Sequence, residues 1–108
     1  AHGGDIDVDY QRIFPATINT EAETRHVEAC IVQTLSESAL IRDVAPSLGG
    51  EDFSFMLQRC PGAYFFLGTA KSDTTPPLHN ARYDFNDDII PTGCRLLLAI
   101  GLNALVAN

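Results

Sequence analysis

Basic side chains are scarce in this chain. Seven of them, Arg12, Arg25, Arg42, Arg59, Lys71, Arg82 and Arg95, stand scattered against 14 acidic groups, and the formal net charge over 108 residues is −7. No basic patch exists to track a phosphate backbone, which argues against nucleic acid as a partner. Cysteine is also sparse. Cys30, Cys60 and Cys94 are odd in number, and no two have Cys-x-x-Cys spacing, so neither a disulfide framework nor a zinc knuckle fits. Reduced, mostly buried thiols in a cytoplasmic protein fit better. Long apolar runs are missing as well. The stretch from Leu96 to Val106 is broken by Gly101 and Asn103 and reads as too short to cross a bilayer. The first ten residues have neither the basic start nor the apolar core of a signal peptide. The expectation is a cytoplasmic protein with no membrane partner. No initiator Met precedes the strand-like opening, which reads as a fragment, a processed chain or a trimmed piece.

Catalytic signatures are wanting too. There is no His-Glu-x-x-His, no His-x-Asp pair, no Gly-x-Ser-x-Gly and no Cys/His nucleophile arrangement. A hydrolytic zinc site needs about three protein ligands and an open position for water, with a base to activate that water. Read from its residues alone, the chain can contribute to a metal site but hardly complete one.

What is present points to a folded domain. Apolar residues make up 45% and charged residues 19%, a composition that supports one hydrophobic core rather than disorder. Residues 5–10 alternate, with Ile6, Val8 and Tyr10 on one face and Asp5, Asp7 and Asp9 on the other, which predicts a half-exposed strand. Phe14-Pro15 ends it. Thr20-Glu-Ala-Glu23 has the form of a capping box, opening a helix over about 20–36 with Val27, Cys30, Ile31 and Leu35 on its buried side. Residues 39–45 read as a short strand or a connector. A short helix is expected over 51–59, with Phe53, Met56 and Leu57 on one side and an acidic first turn. Residues 63–67, Ala-Tyr-Phe-Phe-Leu, form a continuous apolar run, the pattern of a strand buried on both faces. A final helix over 92–107 is apolar almost all round and should be deeply packed; Asn86 or Asp88 would cap it, and Pro91 suits its first turn. The fold class is α/β.

Two segments carry candidate chemistry. Residues 78–88 hold His79 among Asp84, Asp87 and Asp88 in a loop after the buried run. A histidine so placed can ligate a metal or move a proton, with carboxylates orienting it; the bland alternative is an acidic solvated loop. Gly49-Gly50-Glu51 precedes a helix, where backbone N–H groups can face an anion; the bland alternative is a turn. His26 lies beside the apolar stripe of the first helix and reads as surface or half-buried, and His2 lies near the terminus.

Taken in order, these segments resemble the M20 family of metal-dependent peptidases and amidohydrolases, in the branch of aminoacylases, hippurate hydrolases and auxin-conjugate hydrolases. The resemblance rests on Gly49-Gly50-Glu51-Asp52-Phe53, on Pro61-Gly62-Ala63 with the aromatic run to Gly68, and on Leu78-His79 through Tyr83-Asp84-Phe85-Asn86-Asp87. Upstream, Tyr10 to Asn19 is similar to the family's exit from its lid domain, with Phe14 where Tyr is usual. The resemblance implies a C-terminal portion of a zinc-peptidase-like α/β catalytic domain over 17–108. It implies that 1–16 is the last strand of a ferredoxin-like lid and dimerisation domain. It implies that His79 is a metal ligand and that Gly49, Gly50 and Glu51 help hold substrate. The intact site would carry two divalent ions of zinc, manganese or cobalt, and the substrate would be an N-acyl amino acid or small amide. The remaining ligands and the general base would lie in a missing N-terminal part of the same protein, which would work as a homodimer, with the chain inactive alone. A non-catalytic binding or assembly module of the same fold is the competing expectation, and a small acidic partner-binding domain a weaker one.

Overall fold

The computed structural model describes residues 3–106, which leaves His2 outside the described residues. Among the described residues there are three α-helices: α1 (Glu21–Thr34), α2 (Phe53–Leu57) and α3 (Ile90–Val106). Short 3₁₀ turns follow α1 at Glu37–Ala39 and precede α3 at Asp87–Ile89. Among the described residues there is no β-strand, so the expected α/β class is corrected to helices joined by irregular segments. The cause is hydrogen bonding rather than local preference. A strand is defined by a partner ladder, and the runs at 5–10 and 63–67 find none within the chain. Ile6, Val8 and Tyr10 are all exposed, so the expected half-buried face at 5–10 is not formed either.

The core sits where α1 crosses α3. Val27 and Ile31 of α1 pack on Leu96 of α3, with Leu35, Leu40, Ala63, Phe65, Leu67 and Ile100 around them. Two side-chain links sew the helices together. His26 Nε2 donates to the Ile100 carbonyl at 3.0 Å, and Asn103 Nδ2 lies 3.5 Å from the Cys30 sulfur. His26 is thus a half-buried packing histidine, as its place beside the stripe implied. Cys30 is buried, but Cys60 and Cys94 are exposed, so the expectation of mostly buried thiols holds for one of three.

α3 departs furthest from expectation. Asn86 does cap, accepting from Asp88 N–H at 3.2 Å, but it caps the 3₁₀ turn that leads into the helix. Pro91 stands in the first turn as expected. Gly93 allows the closest approach of another segment, since a Cβ there would lie 3.2 Å from Leu67 Cδ2. Yet only Leu96 is buried, while Leu97, Leu98, Leu102 and Leu105 are more than half exposed. The expected deep packing is therefore absent: an all-round apolar helix needs neighbours on every side, and here only α1 and the 63–67 run supply any. With its leading turn the helical segment runs Asp87–Val106, 20 residues, and holds an 18-residue window of mean hydropathy 1.8, long enough by length and composition to cross a membrane. Length alone therefore no longer excludes that role, although core helices pass the same measure.

The 63–67 run is held by side chains. Asn19 pairs with both backbone groups of Tyr64: Tyr64 N–H donates to Asn19 Oδ1 and Asn19 Nδ2 donates to the Tyr64 carbonyl, each at 2.8 Å. Thr20 N–H donates to the Gly62 carbonyl at 3.0 Å, and Gly62 N–H returns a bond to Thr20 Oγ1 at 2.9 Å. This use of the hydroxyl replaces the expected capping box. Thr20 is the N-cap residue, but its side chain caps no helix N–H; it faces Gly62 and the Glu23 carboxylate instead.

The chain is open for its mass. Its radius of gyration is 18.5 Å, against about 13 Å for a compact domain of this length. Its accessible surface is 9313 Å², against about 5,900 Å² for a folded monomer of this mass. Replacing Asn19 by Ala should remove both bonds to Tyr64 and lower stability by about 1–2 kcal/mol. Urea denaturation followed by circular dichroism measures this; an unchanged midpoint would show that the clasp contributes nothing.

Candidate functional site

Both candidate segments are tight turns fastened to the 62–69 stretch. The first leads into α2. Glu51 turns its carboxylate back on the helix start, accepting from Phe53 N–H at 3.2 Å, and accepts the Tyr64 hydroxyl at 3.0 Å on its other oxygen. The Glu51 carbonyl accepts from buried Ser54 through its hydroxyl and its N–H. Phe53 and Tyr64 stack at a tilt with centroids 5.5 Å apart, and Phe66 meets Tyr64 edge-on. The Phe53 N–H first, then hydrogen bonding with Asp52, then the Tyr64 hydroxyl hold the Glu51 carboxyl below the usual carboxylate range. Glu51 in turn raises the Tyr64 hydroxyl above its ordinary value.

The glycines before it serve packing. A Cβ at Gly50 would lie 2.5 Å from Phe14 Cδ2, too close for any real side chain. Phe14 itself leans on Phe55, with centroids 6.0 Å apart. The Gly49 N–H donates to Ser47 Oγ at 3.2 Å, within the loop itself. α2 has five residues rather than the nine expected, because Pro61 and Gly62 follow closely and Thr20 draws Gly62 away.

The second segment carries His79. Asn80 N–H donates to the Pro77 carbonyl and Tyr83 N–H to the Asn80 carbonyl, which makes two tandem turns. Asn80 Oδ1 also accepts from Arg82 N–H at 2.9 Å. His79 stands third in the first turn with φ 65°, the left-handed region that a side chain adopts at a cost. Its imidazole is exposed and enters no hydrogen bond among the described residues. Tyr83 anchors the second turn: its hydroxyl meets Thr69 Oγ1 at 3.2 Å, and its ring meets Phe85 edge-on at 5.1 Å.

The two turns are therefore tied to one stretch at different points, Tyr64 and Thr69. These lie roughly 17 Å apart along an extended chain, and no hydrogen bond joins Glu51 to His79 among the described residues. No group of three His, Cys, Asp or Glu side chains that could hold a metal exists among the described residues. One exposed imidazole fits a share of a metal site; the residues of this chain do not fit a whole one. Sequence reasoning passed over Asn19, Tyr64 and Tyr83. All three sit inside the family motifs, but their partners lie 13 to 45 residues away, a separation that no local pattern encodes.

Comparison with known proteins places this geometry. Residues 4–103 match the family described as peptidase family M20/M25/M40. The chain belongs to that family. It is 33% identical over 104 residues to thermostable carboxypeptidase 1 of Saccharolobus solfataricus, covering 92% of this chain and 25% of that protein. It is 41% identical over 49 residues to the N-acetyldiaminopimelate deacetylase of Streptococcus suis, covering 45% and 12% respectively. To the IAA-amino acid hydrolase ILR1-like 2 of Arabidopsis thaliana it is 25% identical over 93 residues, covering 85% and 21%. The chain spans about a quarter of the length of the curated relatives it matches most fully. No solved structure matches.

The Glu51 buckle gives a titration with a fixed sign. Its folded pKa is depressed, so its contribution to stability is present above the unfolded carboxyl pKa and lost as pH falls through the folded value. Replacing Tyr64 by Phe should move the Glu51 titration, followed by side-chain NMR, upward toward the ordinary range. A Glu51 titration that ignores the substitution would break the link.

Proposed function

We propose that this chain is the C-terminal part of a metal-dependent amidohydrolase acting on N-acyl amino acids or small amides. Residues 1–16 are then the last strand of a lid domain, and residues 17–108 the returning part of the catalytic domain. Family membership supports hydrolysis as the class of reaction. The printed names of two relatives, an N-acetyldiaminopimelate deacetylase and an IAA-amino acid hydrolase, favour an acylated amino acid over a long peptide.

The observation that carries the reading is His79. Its imidazole is exposed, its backbone is held at φ 65° by tandem turns, and Tyr83 anchors the loop. An exposed ring left uncommitted is what a metal ligand requires, and backbone strain of the kind seen at His79 gathers at functional sites. Bound divalent ions, zinc, manganese or cobalt, would polarise the scissile carbonyl and lower the pKa of water. His79 would supply one ligand to them and the preceding part of the protein the others. Glu51 is best read as holding the turn beside that site, since both its oxygens are engaged within the chain. A non-catalytic module is favoured only by the lack, among the described residues, of a group of side chains that could hold a metal. The ligand content of the preceding part decides between the two.

Two substitutions of His79 in the intact protein test this. His79→Ala should release metal and lower hydrolysis by more than the 10–100-fold typical of outer-shell changes. His79→Gly should also release metal, while the metal-free protein gains about 1 kcal/mol in stability, because glycine adopts positive φ freely. Full metal content and activity in either variant would refute the assignment.

A further inference from the structure

His79 rides on a loop with one polar tie to the rest of the fold. Of residues 77–85 only Tyr83 is not exposed. Among the described residues, the hydrogen bonds made by residues 70–85 span four residues or fewer, with one exception. The exception joins the Tyr83 hydroxyl to Thr69 Oγ1 across 14 residues, at 3.2 Å. The ring of Tyr83 adds little hold, because its aromatic partner, Phe85, is itself 71% exposed.

Both ends of this tie are anchored. Thr69 follows Leu67 by two residues, and Leu67 packs on the core cluster of Val27, Ile31 and Leu96. A Cβ at Gly93 would meet Leu67 at 3.2 Å, so α3 sits close against the stretch just before Thr69. At the other end, the Tyr83 N–H donates to the Asn80 carbonyl at 2.9 Å, and the Asn80 N–H donates to the Pro77 carbonyl at 3.2 Å. That second N–H belongs to the peptide plane joining His79 to Asn80, so its bond fixes the plane beside the φ 65° residue. The Asn80 side chain tightens the relay by accepting from Arg82 N–H at 2.9 Å. Core, Thr69, Tyr83, Asn80 and His79 thus form one line of support, and the hydroxyl pair is where it crosses into the loop.

We infer that the Tyr83 and Thr69 hydroxyls are a positioning pair for His79, setting metal affinity through the backbone of the loop. The inference rests on reading His79 as a metal ligand. A left-handed histidine relaxes to ordinary backbone once its turns are free to open, and a ligand must keep its place to bind tightly. One neutral hydrogen bond is enough to move such an equilibrium by about 10-fold. The loss falls on metal affinity rather than on the fold, since the loop buries little and the core lies elsewhere.

Zinc affinity of the intact protein, measured by competition with a chromophoric chelator, tests it. Tyr83→Phe and Thr69→Val should each weaken binding about 10-fold, and the double variant should lose no more than either alone. Thr69→Ser, which keeps the hydroxyl, should bind zinc as the unaltered protein does. The melting temperature of the metal-free protein should hardly move in any of them. Unchanged affinity in Tyr83→Phe or Thr69→Val, additive losses in the double variant, or a loss matched by a fall in the metal-free melting temperature would overturn the pair. His79→Ala in the same assay separates the two readings. If it releases zinc while the hydroxyl variants hold it, the pair fails and the ligand assignment stands. If it holds zinc, the ligand assignment fails and the pair with it.

Discussion

The architecture depends on two adjacent polar side chains, Asn19 and Thr20. Between them they satisfy four backbone groups, the N–H and carbonyl of Gly62 and of Tyr64, partly through side-chain amide and hydroxyl and partly through the Thr20 main chain. A buried or half-buried backbone group left without a partner is costly, so this clasp is what lets an apolar run lie against α1 and α3 without a neighbouring strand. Everything of chemical interest hangs from the run it holds. The Glu51 turn is fastened at Tyr64 and the His79 turn at Thr69 through Tyr83. α1 begins immediately after Thr20, so the same residues also fix where the main helix starts relative to both turns.

The reading of the sequence succeeded where the controlling forces are local or periodic. The stripe of α1, the turn before α2, the capping of the last helical segment by Asn86 and the role of Pro91 all follow from spacing and from the chemistry of single residues. It failed where the outcome depends on what lies across from a segment. An alternating run at 5–10 and an apolar run at 63–67 have strand patterns, but a pattern does not supply a partner. α3 was read as buried because it is apolar all round, yet burial needs neighbours and the chain has too few. These misses share a direction: each anticipated more surroundings than these residues provide. The family motifs, by contrast, were legible as a set because their order and spacing survive without the rest of the fold.

The site was legible in part. His79 could be singled out from its motif, but its left-handed backbone could not, since a positive φ is imposed by the tandem turns and not announced by a histidine. Gly50 looked like part of an anion cradle and proves to be where Phe14 packs. Glu51 looked available to substrate and proves to be engaged on both oxygens. In these two cases the residue type suits several uses, and what each side of the residue meets, the Phe14 ring at Gly50 and the Phe53 N–H and Tyr64 hydroxyl at Glu51, lies outside any local pattern.

This arrangement couples packing to chemistry. The stretch that carries both turns packs on the core through Ala63, Phe65 and Leu67. A metal ligand must hold its place to within a fraction of an ångström, and loops achieve that only when rigid elements support them. The strain at His79 fits the same logic. A chain with so little core has scant stability to spend on an unfavourable backbone, so the conformation persists because the turns around it are hydrogen-bonded and anchored.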